Sequence, residues 1–292
     1  MSYKAYKELT KSGIVFFVLV TGAAGYFLGL GHVAPFEFGH LIFTLISLYG
    51  FGAGTCALNQ IQEIEIDRKM DRTKNRPLPS GKISKAQAYG IVAGLLTMGT
   101  GIGLVVTPRI VVVGWLTFLL YNLFYTLIWK RRWIFGAVPG AIPGAMPVVF
   151  GFAANNNNFF DPTLIFGFLI MFLWQMPHYW SLAIKYKDDY AKAGLPIMPT
   201  KLGMDRAFFH IGLYTFAYVA VAIATPFFVP SSLGYLLLVL PLSFKVIWEF
   251  FRFYNQGEQK GWLRFFLWTT FSILIFLIVP VVDRWQHIIF EF

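Results

Sequence analysis

Apolar residues run through this chain in stretches of about 20 residues separated by short polar breaks. The alternation predicts nine membrane-spanning helices, over residues 13–31, 38–61, 86–106, 109–129, 134–153, 162–183, 207–229, 233–251 and 264–282. At ~1.5 Å rise per residue each stretch can cross ~30 Å of hydrocarbon. Nine such helices and their connections use up the 292 residues, so the reading is one all-α integral membrane domain over 1–292, without a soluble domain or an internal linker. Lys4, Lys7 and Glu8 lead into the first span with no small-residue cleavage site and no Arg/Ser-rich presequence, so no removable targeting peptide is expected.

Charge gives the helices a direction. With the N-terminus in the cytoplasm, 21 of the 24 lysines and arginines fall on that side; the exceptions are Arg109, Arg284 and Lys245, which lies within the eighth span. The net charge of +10 is therefore explained by cytoplasmic loops and does not call for a nucleic acid. The outer loops are short and almost uncharged, so chemistry that uses charge is expected at the cytoplasmic face. The single cysteine, Cys56, lies inside an apolar segment and offers neither a disulfide nor a CxxC site.

One segment departs from the apolar background. Residues 59–76 hold four carboxylates and five basic side chains in a chain that is only 13% charged, directly after the second span. Asn59, Glu63, Asp67 and Asp71 recur every four residues, an advance of ~40° per step on a helix, and so form one slanted stripe. Oxygen ligands in that number suit a hard divalent ion such as Mg²⁺, which keeps waters and bridges to substrate phosphates. Arg68, Arg72 and Arg76 follow at the same interval on the next stripe, with Lys69 and Lys74 nearby, and a guanidinium stripe beside a carboxylate stripe complements a metal–diphosphate. A positive-inside loop with helix-surface pairs would explain the arginines and lysines equally well. It does not explain Asn59 and Glu63 at the membrane end of a span, where ionisable groups are expensive.

Other clusters share that face. Lys185, Lys187, Asp188 and Asp189 close the sixth span, where the aspartates either complete a metal site or form a solvated turn; Tyr125–Arg132, with Trp129 and Lys130, closes the fourth. His178 lies inside the sixth span, as a ligand, a proton relay or a hydrogen-bonded packing residue. His32, His40 and His287 lie toward the outer face and His210 near the start of the seventh span. Pro139, Pro143 and Pro147 with Gly136, Gly140, Gly144 and Gly151 mark the fifth span as kinked, for close helix packing or to shape a cavity.

These residues carry a family resemblance. Asn59-Gln60-x-x-Glu63-x-x-x-Asp67 resembles the NDxxDxxxD signature of the UbiA-type intramembrane prenyltransferases. Asp67–Pro77, Tyr125–Arg131, Trp174-Gln-Met-Pro-His178-Tyr-Trp180 and Lys187-Asp-Asp-Tyr190 followed by Gly194–Pro199 resemble the forms found in the haem O synthases, the protohaem IX farnesyltransferases. The resemblance spans roughly residues 10–280.

It implies transfer of a farnesyl group from farnesyl diphosphate to a vinyl group of haem b, with addition of water, giving haem O. It implies Mg²⁺ held by Asn59, Glu63, Asp67, Asp71, Asp188 and Asp189, and diphosphate bound by Arg68, Lys69, Arg72, Lys74, Arg76, Lys130, Lys185 and Lys187. His178 is the expected haem contact. A bacterial plasma membrane, with terminal-oxidase assembly proteins or a haem A synthase as partners, completes the picture. Gln60 and Glu63 stand where the superfamily has Asp or Asn and Asp. Lys185 replaces the first aspartate of a second DxxxD, which implies a direct diphosphate contact.

Two other readings are distinguishable. A UbiA-type enzyme acting on an aromatic quinone precursor would share the first motif but not the pairing of Trp174–Trp180 with Lys187–Pro199. A secondary transporter would gather its ionisable groups near the midplane, often in repeated halves; here they collect at one face.

Overall fold

The computed structural model describes residues 2–31, 35–257 and 260–289, so His32 lies outside the described residues. Every regular element among these residues is a helix. A short helix, α1 (Tyr3–Leu9), leads into α2 (Ser12–Gly29) and α3 (Phe38–Gln62); α4 (Ile64–Lys69) begins the charged stretch. Then follow α5 (Lys85–Val106), α6 (Pro108–Arg132), α7 (Ala137–Asn155), α8 (Pro162–Lys185), the short α9 (Lys187–Lys192) and α10 (Met198–Lys201), α11 (Met204–Ile223), α12 (Leu233–Gln256) and α13 (Trp262–Ile289). Among the described residues eight helices are long and apolar enough to cross a membrane. The expected sixth span, α8, has the length, but Gln175, Pro177 and His178 dilute its apolar character.

The helix starts are written locally. Ser84 and Gln87 form a reciprocal capping box at α5, each side chain accepting from the other's backbone N–H at 3.1 Å. Thr107 before Pro108 and Asp161 before Pro162 combine a side-chain cap with a proline in the first turn, where its missing N–H costs nothing.

In the bundle, α3 packs against α5, α2 against α7, and α8 against α7, α11 and α13. The α2–α7 contact is the closest. A Cβ added at Gly151 would stand 1.9 Å from the Gly22 carbonyl oxygen, and one at Gly25 2.1 Å from that of Val148, so backbone meets backbone here. The fifth span thus packs closely, and Pro143, Gly144 and Pro147 also line a cavity.

Lys245, the cation inside a span, is neutralised one turn along its own helix. Glu249, 1% exposed, receives it at 2.7 Å and Arg264 of α13 at 3.0 Å.

Gly25→Leu forces α2 and α7 apart. An overpacked contact of this kind costs about 1–3 kcal/mol; a lower thermal-unfolding midpoint in detergent, with Gly13→Leu as the open-space control, measures it.

Candidate active site

Helix α3 does not run unbroken into the charged stretch. Glu63 closes it at φ −106°, ψ 11°, and α4 restarts at Ile64. The Glu63 N–H still donates to Asn59 O at 3.0 Å and the Asp67 N–H to Glu63 O at 2.8 Å, so the four-residue register survives and Asn59, Glu63 and Asp67 share a face. At Met70 the backbone becomes extended and the register ends. Turns then replace the continuous helix that the spacing implied. Thr73 Oγ1 donates to Asp67 O at 2.9 Å and closes α4, and Pro77 disfavours helical geometry at Arg76.

This corrects both stripes. Asp71 leaves the acidic one: it is exposed and pairs with Lys74 at 2.7 Å and Lys192 at 2.6 Å, whose hydrogen bonds pull its carboxyl down to about 2. The arginines do not form a stripe. Arg68 is exposed and pairs with Glu65, Arg72 lies over the Tyr186 ring at 4.9 Å, and Arg76 folds back so that Nη1 reaches both Asp67 oxygens at 2.9 Å.

The three remaining acidic-stripe residues are 1–3% exposed, and each is met by a cation from another part of the chain. Lys11 Nζ donates to Asn59 Oδ1 at 2.6 Å, Lys130 Nζ to Glu63 Oε1 at 2.5 Å, and Arg76 holds Asp67. Burial opposes ionisation of Glu63, but the Lys130 and Lys11 ammoniums outweigh it and hold the carboxyl below the usual glutamate range.

Two features that position this cluster are not visible as motifs. The first is a π-helical segment, Leu120–Trp129, inside α6. Thr126 Oγ1 donates to Tyr121 O, five residues back, and accepts from Asn59 Nδ2 at 3.0 Å; the Lys130 N–H likewise donates to Tyr125 O. The wider coil turns Tyr121, Tyr125, Thr126 and Lys130 toward the acidic stripe, a use typical of π segments at functional sites.

The second is Lys11, which the sequence marks only as one of the topogenic charges. Among the described residues it alone, apart from glycines, has positive φ, at 51°. Gln60 Nε2 donates to the Glu8 and Leu9 carbonyls and fixes the end of α1. That clasp points Lys11 into the site, and gives Gln60 a positioning duty where the superfamily signature has a carboxylate or amide. An N-terminal Thr-Lys before an apolar run was the available signal, and it is weak.

The second cluster does reach the first. Asp189, buried, accepts from the Asp71 and Arg72 backbone N–H groups, both at 3.2 Å, and so ties α9 to the loop after α4. Met70, Ala183, Tyr190, Leu195 and Ile197 pack beneath this tie. Asp189 is thereby committed to backbone, Asp188 and Lys69 are exposed, and Lys185 lies over the Trp262 ring at 5.4 Å.

Beside the cluster lies a cavity of about 500 Å³, lined by Gly13, Ile14, Phe17, Val18 and Thr21 of α2, Tyr121 and Tyr125, Gly140 and Gly144 of α7, Trp174, Gln175, Met176, His178 and Tyr179 of α8, and Phe266 and Thr270 of α13. His178 stands on its wall between Trp174 (4.6 Å) and Phe266 (4.2 Å), with Nδ1 3.2 Å from Thr270 Oγ1. A second, apolar cavity of about 120 Å³ shares Ile14, Val18, Tyr121 and Gly144 with the first and runs between Phe51, Met146 and Phe150.

Among the described residues no three carboxylate, imidazole or thiol side chains converge as a metal cage. The donor set still fits Mg²⁺, which needs only one or two carboxylates beside phosphate and water oxygens, and Glu63, Asp67 and Asn59 offer oxygens alone.

A buried rim of paired carboxylates and cations beside an apolar, aromatic-walled membrane cavity defines an intramembrane protein built for a long apolar molecule with an anionic head. More particularly, the chain belongs to the UbiA prenyltransferase family, whose model matches residues 18–271. It is 48% identical over 285 residues to the protoheme IX farnesyltransferase of Bdellovibrio bacteriovorus, covering 98% of each chain. With that of Flavobacterium johnsoniae it shares 35% identity over 291 residues, covering 96% of this chain and 94% of the relative. In fold it is similar to a digeranylgeranylglyceryl phosphate synthase (TM-score 0.76, 19% identity, 97% of this chain and 98% of that one). It is also similar to a UbiA homolog from Archaeoglobus fulgidus bound to DMAPP and Mg²⁺ (TM-score 0.67, 15% identity, 95% and 99%).

Lys130→Met removes the hydrogen-bonded partner of the buried Glu63 carboxylate and is expected to cost about 3 kcal/mol. Thermal unfolding of Lys130→Met, Glu63→Leu and the double variant checks the coupling: the double variant should recover most of the loss.

Proposed function

We infer that this chain transfers the farnesyl group of farnesyl diphosphate to a vinyl group of haem b, with addition of water, and so forms haem O. The observation that carries the reading is the charged rim of Lys11, Lys130 and Arg76 on Asn59, Glu63 and Asp67, joined through Tyr121 and Tyr125 to the aromatic cavity whose wall includes His178. Relatives that bear this activity in their names, at full-length coverage, support the same chemistry.

In this reading Lys11, Lys130 and Arg76 exchange part of their carboxylate contacts for diphosphate oxygens. Their charge stabilises the leaving group as the allylic C1–O bond breaks. Glu63 and Asp67 with Asn59 would hold Mg²⁺, which when bound would supply Lewis-acid charge to the diphosphate. The apolar branch beside Phe51 and Phe150 takes the farnesyl chain, while Tyr121 and Tyr125 face the carbocation and shield it. A haem vinyl carbon forms the new C–C bond, and water then adds to the resulting cation and releases a proton.

His178 is the haem contact, its ring oriented by Thr270 and its two neighbouring aromatics. Asp71, Asp188, Asp189 and Arg72 shape the lid of the site; they do not bind metal. We further propose nine crossings of a bacterial plasma membrane, with the N-terminus and the charged rim cytoplasmic, which places the aqueous substrate and the basic loops on one side.

Membranes containing the protein should convert haem b to haem O when given farnesyl diphosphate and Mg²⁺. Asp67→Ala at normal protein level is expected to lower turnover at least ~100-fold; full activity of that variant would sink the assignment. Lys11→Ala should lose turnover by about tenfold or more while Lys4→Ala does not, which separates a site lysine from a topogenic one.

A further inference from the structure

We propose that Lys185 receives a carboxylate of the porphyrin acceptor at the mouth of the cavity, and is not a diphosphate ligand. This rests on the reading that haem occupies the cavity.

Lys185 is seven residues beyond His178 on α8. Seven residues bring a helix to within ~20° of the same direction and ~10.5 Å further along. Lys185 and His178 therefore share the face of α8 that meets α13. The contacts agree: Lys185 Nζ lies 5.4 Å over the Trp262 ring, Trp262 lies 6.2 Å from Phe266, and Phe266 stacks on His178 at 4.2 Å. This is one continuous aromatic wall with a cation at its exposed end. The diphosphate rim occupies a different side of α8, the one carrying Tyr179, which meets Tyr190 at 6.5 Å and lines the small pocket with Tyr125 and Lys130.

A lysine in the last turn of a helix is favoured by the helix dipole alone. The dipole does not explain why the ammonium is braced over the ring that crowns the haem wall. Among the described residues Lys185 has no carboxylate partner, and a cation–π contact at an exposed site is weak enough to be exchanged for one. Haem is a flat apolar disc with both carboxylates on one edge. With its iron opposite His178 and its disc along the wall, the carboxylate edge reaches toward Lys185 and the aqueous face, and the hydrocarbon edge stays among the aromatics. A quinone precursor without that carboxylate edge would gain nothing from this cation, so Lys185 helps to specify the acceptor.

The test uses full-length protein in detergent, with iron protoporphyrin IX or its dimethyl ester as acceptor, comparing wild type, Lys185→Gln and Lys185→Arg. Porphyrin binding is read from the Soret band without farnesyl diphosphate, and KM is read separately for each substrate. The expected result is a threefold to fivefold weaker Kd and higher KM for haem in Lys185→Gln, about the effect of one partly exposed ion pair. Its KM for farnesyl diphosphate should be unchanged, and Lys185→Arg should restore haem binding. Esterification should weaken wild type by the same factor and leave Lys185→Gln unaffected. A raised KM for farnesyl diphosphate instead, or an equal ester penalty in wild type and variant, overturns the carboxylate assignment alone. Failure of wild type to bind or convert haem overturns the haem reading beneath it.

Discussion

Glu63 and Asp67 are buried at the end of a membrane helix, and removing a carboxylate from water costs several kcal/mol unless a partner repays it. The partners come from three separate places: Lys11 before α2, Lys130 at the end of α6 and Arg76 from the turn after α4. Closing this end of the bundle and neutralising the acidic stripe are therefore the same event. Two carboxylates against three cations leave one net positive charge, which suits an anionic head group better when a divalent ion accompanies it.

That constraint explains local irregularities that would otherwise look like defects. The π-helical segment of α6, the left-handed backbone at Lys11 and the breaks at Glu63 and Met70 each weaken regular structure. Each delivers a side chain to the rim: Thr126 and Lys130, the Lys11 ammonium, and Arg76. Strain of this kind persists where the surroundings over-determine it, here through Gln60 on α1 and Asp189 on the 71–72 backbone.

Helix α8 then divides the labour. Its Tyr179 side meets Tyr190 and the small pocket with Tyr125 and Lys130, and its His178–Lys185 side meets the aromatic wall of α13. The close α2–α7 contact at Gly25 and Gly151 fastens together two of the helices that line the cavity.

Apolar stretches of about 20 residues, the bias of lysines and arginines, and the i, i+4 recurrence of Asn59, Glu63 and Asp67 are local properties, and they determined the all-α membrane class, the bounds of the first six long helices to within about three residues and the helix face that Asn59, Glu63 and Asp67 share. The cationic half was only partly legible. Lys130 and Arg76 could be named from their motifs, but Lys11 and the clasp by Gln60 depend on where α1 docks, which no periodicity encodes. Asp71 and Asp189 carry the right chemistry in the right pattern, yet they serve an ion pair and a backbone tie, because the break at Met70 turns the chain out of register. Local spacing fixes which side chains share a helix face; only tertiary packing decides where a helix stops and which distant charge answers a buried one.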